Sequence, residues 1–451
     1  MRTAPILLVL AILLLVLPAG ADEGFVSLFN GRNLDGWVVE GSPEGFRVLD
    51  GCLHSDGGRG GNWIHTDRPY GNFVLRLEWM LSKTGNSGIF IRMGGEKQGF
   101  EVQLLAPWTP YRDDLHCTGS IYGLVPAHPR PDETTLRWRT AEVTAAWRHI
   151  TVKIDGVVTA QADYDQVAGM KDMALTGFVG MQDSHTGAGE WVKFRNIEIK
   201  DLDRDPAFLA QAPFTDPEIG KMAYDAAVRL GPPMVPALLR LVREGEPAVA
   251  HGAGLALERI VLAASAPASP DRAFPVRRDL LACLAAPGDS AAPDRLAAAR
   301  LLGIVGLADA RTVATLKQAV LAGGPVGAAA LEAMQRIPGR AMSDGVIGLI
   351  RRVPPAQRPA VLLALGERRD PVALAVLADT VARGSGEAQV AAIRALGMLG
   401  SAKALPALQT AALNASEALK REISASLLAI RDALPAGDAT RGQVEEAIKG
   451  L

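Results

Sequence analysis

The stretch from residue 86 to residue 103, NSGIFIRMGGEKQGFEVQ, constrains the fold of this chain more than any other. Apolar and polar residues alternate on both sides of a glycine-rich turn, which predicts two short β-strands. Glu101 and Gln103 share one face of the second strand, because the apolar residues around them take the opposite face. Arg92 on the first strand is predicted to pair with the Glu101 carboxylate or to orient it. A carboxylate beside an amide on a sheet surface is suited to binding sugar hydroxyls.

The same alternation recurs through the first 200 residues. Residues 72–81 place large apolar side chains on one face, and residues 147–154 repeat the pattern before a tight Asp155-Gly156 turn. Residues 191–199 form the last predicted strand, with a less regular pattern. Many short strands at this spacing predict a two-sheet all-β sandwich, without deciding between sandwich topologies.

Several sequence motifs follow one another between Phe25 and Asp201: FVSLFNGRNLDGW, FRVLDGCL, NSGIFIR, GFEVQ, GSIYGL, and finally GFVGMQD with VKFRNIEIK. In this order they resemble the 3-keto-disaccharide hydrolase family of exported bacterial proteins. The resemblance implies a concanavalin-A-like jelly roll whose concave sheet binds sugars. A match of several motifs in order is far more specific than a match of any one of them.

The resemblance also implies chemistry on a 3-keto sugar, whose ketone acidifies the neighbouring C2 proton. A base removes that proton, the glycosidic oxygen leaves from C1 by elimination, and water adds, so that the net reaction is hydrolysis. Glu101 or His185 is predicted to be the base, and the choice between them stays open. Arg92, Lys153 or a divalent cation bound near Glu101 would stabilise the enolate. The identity of any metal stays unknown.

A loop after the predicted strand 177–181 carries further candidate groups. Gln182 is predicted to bind the sugar, as are Asn86 and Gln103. Asp183 and His185 can form a base and its orienting partner, or two metal ligands, and a plain surface turn is the alternative. The family usually has the histidine directly after the aspartate, whereas Ser184 intervenes here.

A second departure from the family pattern lies beyond Gln103, where the family often has an aspartate and this chain has Leu-Leu-Ala-Pro. Asp113 or Asp114 is a candidate replacement. The adjacent His116 and Cys117 do not readily form a tetrahedral metal site, so a surface loop is the preferred interpretation.

Tryptophans are the candidate stacking platforms for a sugar ring, because a pyranose face is apolar enough to pack on an indole. Trp108, held in a loop between prolines, is the first choice for substrate binding. Trp63 and Trp138 are further candidates. Trp79 is predicted to lie in the core.

Length and composition bound the remaining possibilities. A chain of 451 residues exceeds one ordinary domain, and 48% hydrophobic with 21% charged residues is typical of a soluble globular protein. A net charge of -2 gives no indication of nucleic-acid or anionic-membrane binding. Three cysteines are too few for a disulfide framework; Cys52 and Cys117 form one bridge or stay unpaired.

Residues 1–21 have the pattern of a signal peptide. A positive Arg2 precedes an aliphatic run over residues 6–17, and Ala19-Gly20-Ala21 is a small-residue cleavage site. The run is shorter than the roughly 20 residues of a membrane span, although an uncleaved anchor is the alternative. The mature chain is therefore predicted to be exported, periplasmic or extracellular, with no stable membrane insertion after cleavage.

The composition changes sharply near residue 200, since all seven tryptophans precede that point and the rest is rich in Ala and Leu. We predict a β-sandwich over 24–201, a linker over 202–216 and an all-α region over 217–451. Similar segments begin at Gly306, Gly366 and Gly400, 60 and 34 residues apart. This spacing predicts HEAT-like helical repeats with a surface for a protein partner; one Ala-rich bundle is the alternative.

Two other functions remain compatible with the sequence. The sandwich can serve as a non-catalytic carbohydrate-binding module, which the missing aspartate favours, or the whole chain can be an interaction scaffold in the cell envelope. Fold alone does not decide between these possibilities and an enzyme.

We expect signal peptidase to cleave the exported protein after Ala21, because the apolar run ends at a small-residue site there. Intact-mass measurement of the exported protein should give a chain that begins at Asp22. A mature protein that retains Met1 would show that the segment is an anchor.

Overall fold

The computed structural model describes residues 24–57, 62–94, 99–109, 112–184, 186–187, 189–266 and 270–451. The predicted signal peptide lies outside these residues. The chain divides into two compact units, Met1–Leu209 and Ala210–Leu451. No helix within the described residues is both long enough and apolar enough to span a bilayer.

The first unit is built from short strands. Their bounds are β1 Val26–Ser27, β2 Trp37–Glu40, β3 Arg47–Leu49, β4 Cys52–Ser55, β5 Trp63–Thr66, β6 Phe73–Leu81, β7 Asn86–Met93, β8 Phe100–Leu105, β9 Arg139–Ala146, β10 His149–Ile154, β11 Val157–Asp163, β12 Phe178–Gln182 and β13 Val192–Asp201.

These strands form two antiparallel sheets. The larger sheet has the order β11-β10-β9-β6-β13-β4-β3, with β1 paired to β13, and the smaller sheet has the order β2-β5-β12-β7-β8. Each sheet buries one face, as Leu75 of β6 and Val102 of β8 illustrate with fully buried side chains. The prediction of an all-β sandwich followed by a helical region is confirmed.

Alternation predicted the strands well where the ladder is regular. In β6 every second residue from Phe73 to Leu81 is buried. In β13 the register shifts between Arg195 and Glu198, and Asn196 has a positive φ of 50°. This β-bulge inserts one residue, so the apolar positions change face part-way along the strand.

Part of the predicted linker packs on the sandwich. Residues Leu202–Arg204 form a 3-10 turn and Pro206–Leu209 a short helix, α1. The Asn72 Nδ2 donates to Asp203 Oδ1 over 2.7 Å, and the Phe208 ring stacks on Trp147 with centroids 4.9 Å apart. The first unit therefore extends to Leu209, eight residues beyond its last strand.

The second unit is helical within the described residues. Its α-helices are α2 Pro217–Leu230, α3 Val235–Glu244, α4 Pro247–Ala264, α5 Pro270–Ala285, α6 Pro293–Val305, α7 Ala310–Ala322, α8 Gly324–Arg336, α9 Arg340–Ile347, α10 Arg358–Arg368, α11 Leu374–Arg383, α12 Gly386–Leu399, α13 Leu405–Ala412, α14 Glu417–Ala433 and α15 Thr440–Lys449.

These helices stack in two layers. In one layer α6, α8, α10, α12 and α14 each pack on the next; in the other, α5 packs on α7, α7 on α9, and α11 on α13. Such stacking is what helical-pair repeats require, because one pair alone cannot bury its apolar face. The HEAT-like assignment itself stays a prediction.

Glycines mark the close crossings of the first layer. A Cβ added at Gly303, Gly366 or Gly397 would lie 3.1, 2.6 or 2.9 Å from a Cα of the next helix in that layer. Three residues after each glycine, the helix ends in a left-handed residue: Gly306, Arg369 or Gly400. The alignment of the three internal segments is therefore wrong at Gly366, since Arg369 is the structural equivalent of Gly306 and Gly400.

We expect a fragment of residues 24–209 to be more stable than a fragment ending at Asp201. The shorter fragment loses the Asn72–Asp203 hydrogen bond and the Phe208–Trp147 stack, together on the order of 2–4 kcal/mol. Urea unfolding followed by circular dichroism measures the difference. Equal midpoints would show that residues 202–209 do not contribute to the stability of the sandwich.

Candidate functional site

The outward face of the five-stranded sheet carries two rows of side chains, which together form what we call the site face. One row contains Glu40, Trp63, Gln182, Gly88 and Gln103, and the other contains Val38, His65, Gly180, Phe90 and Glu101. Pairing across strands keeps the members of a row on one face. The opposite face, with residues such as Ile64 and Val102, lies in the core.

The segment around Tyr122 extends both rows beyond β8. Ile121 forms a bridge with Val102, the Tyr122 N–H donates to the Glu101 carbonyl over 2.9 Å, and the Gln103 N–H donates to the Ser120 carbonyl. Because Ile121 shares the buried face with Val102, its neighbours Ser120 and Tyr122 lie on the site face. Ser120 is buried, whereas Tyr122 is 46% exposed.

Glu101 lies flat on the site face over a glycine. A Cβ at Gly88 would stand 2.1 Å from a Glu101 carboxylate oxygen, so only glycine leaves room for this conformation. Burial raises the pKa of Glu101 from 4.5 to about 7. A carboxyl group with a pKa near neutrality is suited to act as a general base.

Two glutamines place buried amide oxygens beside Glu101. Gln103 is 3% exposed, its Nε2 donates to Asn86 Oδ1 over 3.1 Å, and its Oε1 has no hydrogen-bond partner within the described chain. Gln182 Oε1 and Ser120 Oγ are also buried and have no hydrogen-bond partner within the described chain. Buried polar atoms ordinarily have partners, so these three atoms are candidate contacts for ligand hydroxyls.

Aromatic rings cover the other half of the site face. The Trp63 ring lies 4.6 Å from His65 and 5.6 Å from Phe90, and the His65 ring lies 4.6 Å from Phe178. Such a platform can stack on a sugar ring, which fits the interpretation of Trp63.

The sequence analysis missed His65, which alternation around Ile64 could have placed on the same face as Trp63. Its Nδ1 lies 2.7 Å from the Thr66 carbonyl oxygen and its Nε2 lies 3.3 Å from Glu40 Oε1. Both ring nitrogens are thus engaged, and His65 serves the platform with its ring.

The predicted pairing of Arg92 with Glu101 is wrong. Arg92 is fully buried, with a positive φ of 53° at a register shift between β7 and β12. This bulge turns its side chain from the site face into the interior. There its guanidinium donates to the carbonyls of Gly71 and Trp147 and to the hydroxyl of Tyr164.

Lys153 is likewise misplaced by the sequence prediction. It lies on the outward face of the eight-stranded sheet, where its Nζ contacts Glu142 Oε1 over 2.7 Å. Alternation identifies the face of a strand, but it does not tell which sheet that strand joins. Trp138 also belongs to that side of the molecule, because the Cζ atom of Arg195 in β13 lies 3.9 Å from its ring centroid. Trp79 lies in the core as predicted.

Two of the remaining predicted residues, Trp108 and Asp183, belong to the described part of the chain. Trp108 is 77% exposed in the loop after β8. Asp183 is buried at the end of β12, where its N–H donates to the Asn62 carbonyl and its Oδ2 accepts from the Asn62 N–H. His185 lies outside the described residues.

A short chain of polar groups stands beside Tyr122. His116 Nδ1 lies 2.7 Å from Asp113 Oδ1, and the His116 ring meets the Tyr122 ring edge-on with centroids 4.7 Å apart. The bond to His116 holds the pKa of Asp113 below its usual range. This loop therefore orients His116 against Tyr122.

Within the described ranges, no group of three or more His, Cys, Asp or Glu side chains is arranged to hold a metal ion. Cys52 and Cys117 are free, buried thiols, and burial raises the pKa of both.

Comparison with known proteins relates the sandwich to one family. Residues 24–200 match the family described as the 3-keto-alpha-glucoside-1,2-lyase-like domain. A 3-keto-disaccharide hydrolase from Bacteroides thetaiotaomicron is 27% identical over 242 residues, covering 42% of this chain and 82% of that protein. The resemblance inferred from the motifs is thus confirmed for the first unit.

Solved structures with similar folds include a candidate glycosyl hydrolase from Parabacteroides distasonis, at 24% identity and a TM-score of 0.35, over 40% of this chain and 94% of that one. A carbohydrate-binding module from Bacillus subtilis is 13% identical with a TM-score of 0.25, over 36% of this chain and 94% of that one. Both TM-scores are low, so these similarities add nothing about function.

Glu101→Gln should stabilise the protein at pH 8 and have little effect near pH 4.5. The folded-state pKa of Glu101 is raised, so the folded chain retains a proton that the unfolded chain loses between pH 4.5 and about 7. Wild-type stability therefore falls across that window, by on the order of 1–3 kcal/mol from this group, whereas glutamine does not titrate.

Chemical denaturation of both proteins at the two pH values measures this effect, and the difference between the pH values cancels any fixed cost of the substitution. A gap between variant and wild type that is the same at pH 4.5 and pH 8 would show that Glu101 titrates normally.

Proposed function

We propose that the first unit cleaves 3-keto-disaccharides or other 3-keto-glycosides, with Glu101 as the base that removes the C2 proton. The observation that carries this proposal is a carboxylate with a pKa near 7 on a sheet face lined by amides and aromatic rings. The family match over residues 24–200 supports the substrate class.

The proposed reaction starts from the acidity that a ketone confers on its neighbouring carbon. Glu101 takes the C2 proton, the electron pair forms the enolate, and the C1–O bond then breaks by elimination. Water adds to the resulting enone at C1, and Glu101, whose proton exchanges with solvent at this stage, returns a proton to C2. The net change is hydrolysis without an oxocarbenium-like transition state.

The neighbours of Glu101 have complementary tasks in this proposal. Gln103 and Gln182 hold sugar hydroxyls through their amide oxygens, which have no hydrogen-bond partner among the described residues, and Asn86 fixes the Gln103 amide through the 3.1 Å contact. Trp63 carries the apolar face of the ring, and Trp108, which is exposed in the loop after β8, contacts a second sugar unit. Hydroxyl groups of the site face, or a bound cation, stabilise the enolate in this proposal, because Arg92 and Lys153 point elsewhere.

The rest of the chain suggests where the reaction takes place. We propose that the signal-like segment exports the protein to the periplasm or beyond. We also propose that the first unit is a jelly roll and that the helical unit consists of HEAT-like repeats, which hold a protein partner. The paired helical layers support the second proposal.

The decisive assay incubates the mature protein with a 3-keto-disaccharide and follows release of the keto monosaccharide. Glu101→Gln should lower the rate by at least about 100-fold, since it removes the base. Wild-type kcat/KM should rise with pH up to about 7, because the base must be ionised, and then level off. Running the reaction in D2O should place deuterium at C2 of the product.

Lys153→Met is the matched control, since Lys153 lies on the outward face of the other sheet and should leave the rate unchanged. Wild-type protein that binds the sugar without cleaving it or exchanging its C2 proton would favour the carbohydrate-binding module. Full activity of Glu101→Gln would remove Glu101 from the chemistry and leave His185 as the candidate base.

A further inference from the structure

Elimination needs a second group besides the base. When the C1–O bond breaks, an alkoxide leaves, and a sugar alkoxide is a poor leaving group unless it receives a proton. Glu101 holds the C2 proton at that moment. A separate proton donor on the site face would therefore accelerate the cleavage of unactivated glycosides.

Tyr122 occupies the position such a donor requires. The hydrogen bond from its N–H to the Glu101 carbonyl and the bridge between Ile121 and Val102 make it the cross-strand neighbour of Glu101 on the same face. Cβ atoms of such neighbours lie about 4.5–5.5 Å apart. The phenol is half-exposed and so is accessible to a ligand.

The other hydroxyl and imidazole groups of the described site face are less suited to this task. Both ring nitrogens of His65 are engaged, by Thr66 and Glu40. Ser120 is fully buried beside Gln103, in the row that faces sugar hydroxyls. A phenol, by contrast, carries its proton at neutral pH and releases it more readily than an aliphatic hydroxyl.

The loop beside Tyr122 fixes the ring. His116 meets the ring edge-on, and His116 is itself held by Asp113, whose Oδ1 also accepts from the Leu115 N–H over 2.9 Å. An edge-on aromatic contact restricts the tilt of the phenol ring. His116 and Asp113 are therefore positioning residues.

We propose that Tyr122 is the general acid that protonates the departing glycosidic oxygen, with His116 and Asp113 holding its ring. This proposal rests on the proposed function. As the C1–O bond breaks, the Tyr122 O–H proton moves to the leaving oxygen. The water that adds at C1 returns a proton to the phenolate, while Glu101 returns its proton to C2, so both groups finish as they began.

The test compares two 3-keto-glucosides in the full mature protein: a methyl glycoside, whose alkoxide needs protonation, and a 4-nitrophenyl glycoside, whose phenolate leaves without it. Tyr122→Phe should lose about 100-fold in kcat on the methyl glycoside and less than about threefold on the 4-nitrophenyl glycoside. It should retain deuterium exchange at C2 of 3-keto-glucose, which needs only the base. Glu101→Gln should lose both cleavages and the exchange.

Two further variants separate chemistry from packing. His116→Phe keeps an edge-on ring and should retain most activity on the methyl glycoside, whereas His116→Ala should lower it while leaving the 4-nitrophenyl rate unchanged. Tyr224→Phe in the helical unit is the control for removal of a phenol and should match the wild type on both substrates.

Equal effects of Tyr122→Phe on both glycosides, or no effect on either, would overturn the proposal and leave Tyr122 as a stacking residue. A wild type that shows neither cleavage nor exchange would instead refute the proposed function, so the two failures are distinguishable.

Discussion

The buried guanidinium of Arg92 is the interaction on which the sandwich depends. It leaves β7 of the smaller sheet and donates to the carbonyls of Gly71 and Trp147, which flank strands of the larger sheet. Tyr164 accepts another of its hydrogen bonds. A guanidinium in this interior is tolerated only because several oxygens replace its hydration, and a hydrogen bond to a charged group typically contributes about 1.5–3 kcal/mol. The residue ties the sheet that bears the site face to the sheet that supports it.

Alternation along single strands was enough to predict much of this architecture. It placed Glu101 with Gln103 on one face and put alternate β6 residues from Phe73 to Leu81 on another single face, because regular strands put every second residue on the same side. It failed at Arg92 and in β13, since a β-bulge inserts one residue and reverses the faces beyond it. The pattern of residues 191–199 is irregular, but it does not show which residue is inserted.

The site as a whole depends on pairings that a single sequence does not contain. His65, Glu101 and Tyr122 lie far apart in the chain, and only the strand order brings them into one row. Lys153 shows the converse: its strand was recognised correctly, but that strand belongs to the other sheet. In the helical unit, the sequence analysis took Gly366 as the start of a repeated segment. The helix instead ends at Arg369, a non-glycine residue in a left-handed conformation.

The position of Glu101 in the sheet has a consequence for how the site responds to motion. Strand β8 is the last strand of its sheet, and among the described residues the short segment around Ile121 pairs with its outer side. The basicity of the carboxylate comes from exclusion of water at that margin. Each opening of the margin rehydrates the carboxylate and makes it a weaker base. Movement of strand β8 therefore changes the basicity of Glu101. A ligand that covers this edge of the sheet makes Glu101 a stronger base.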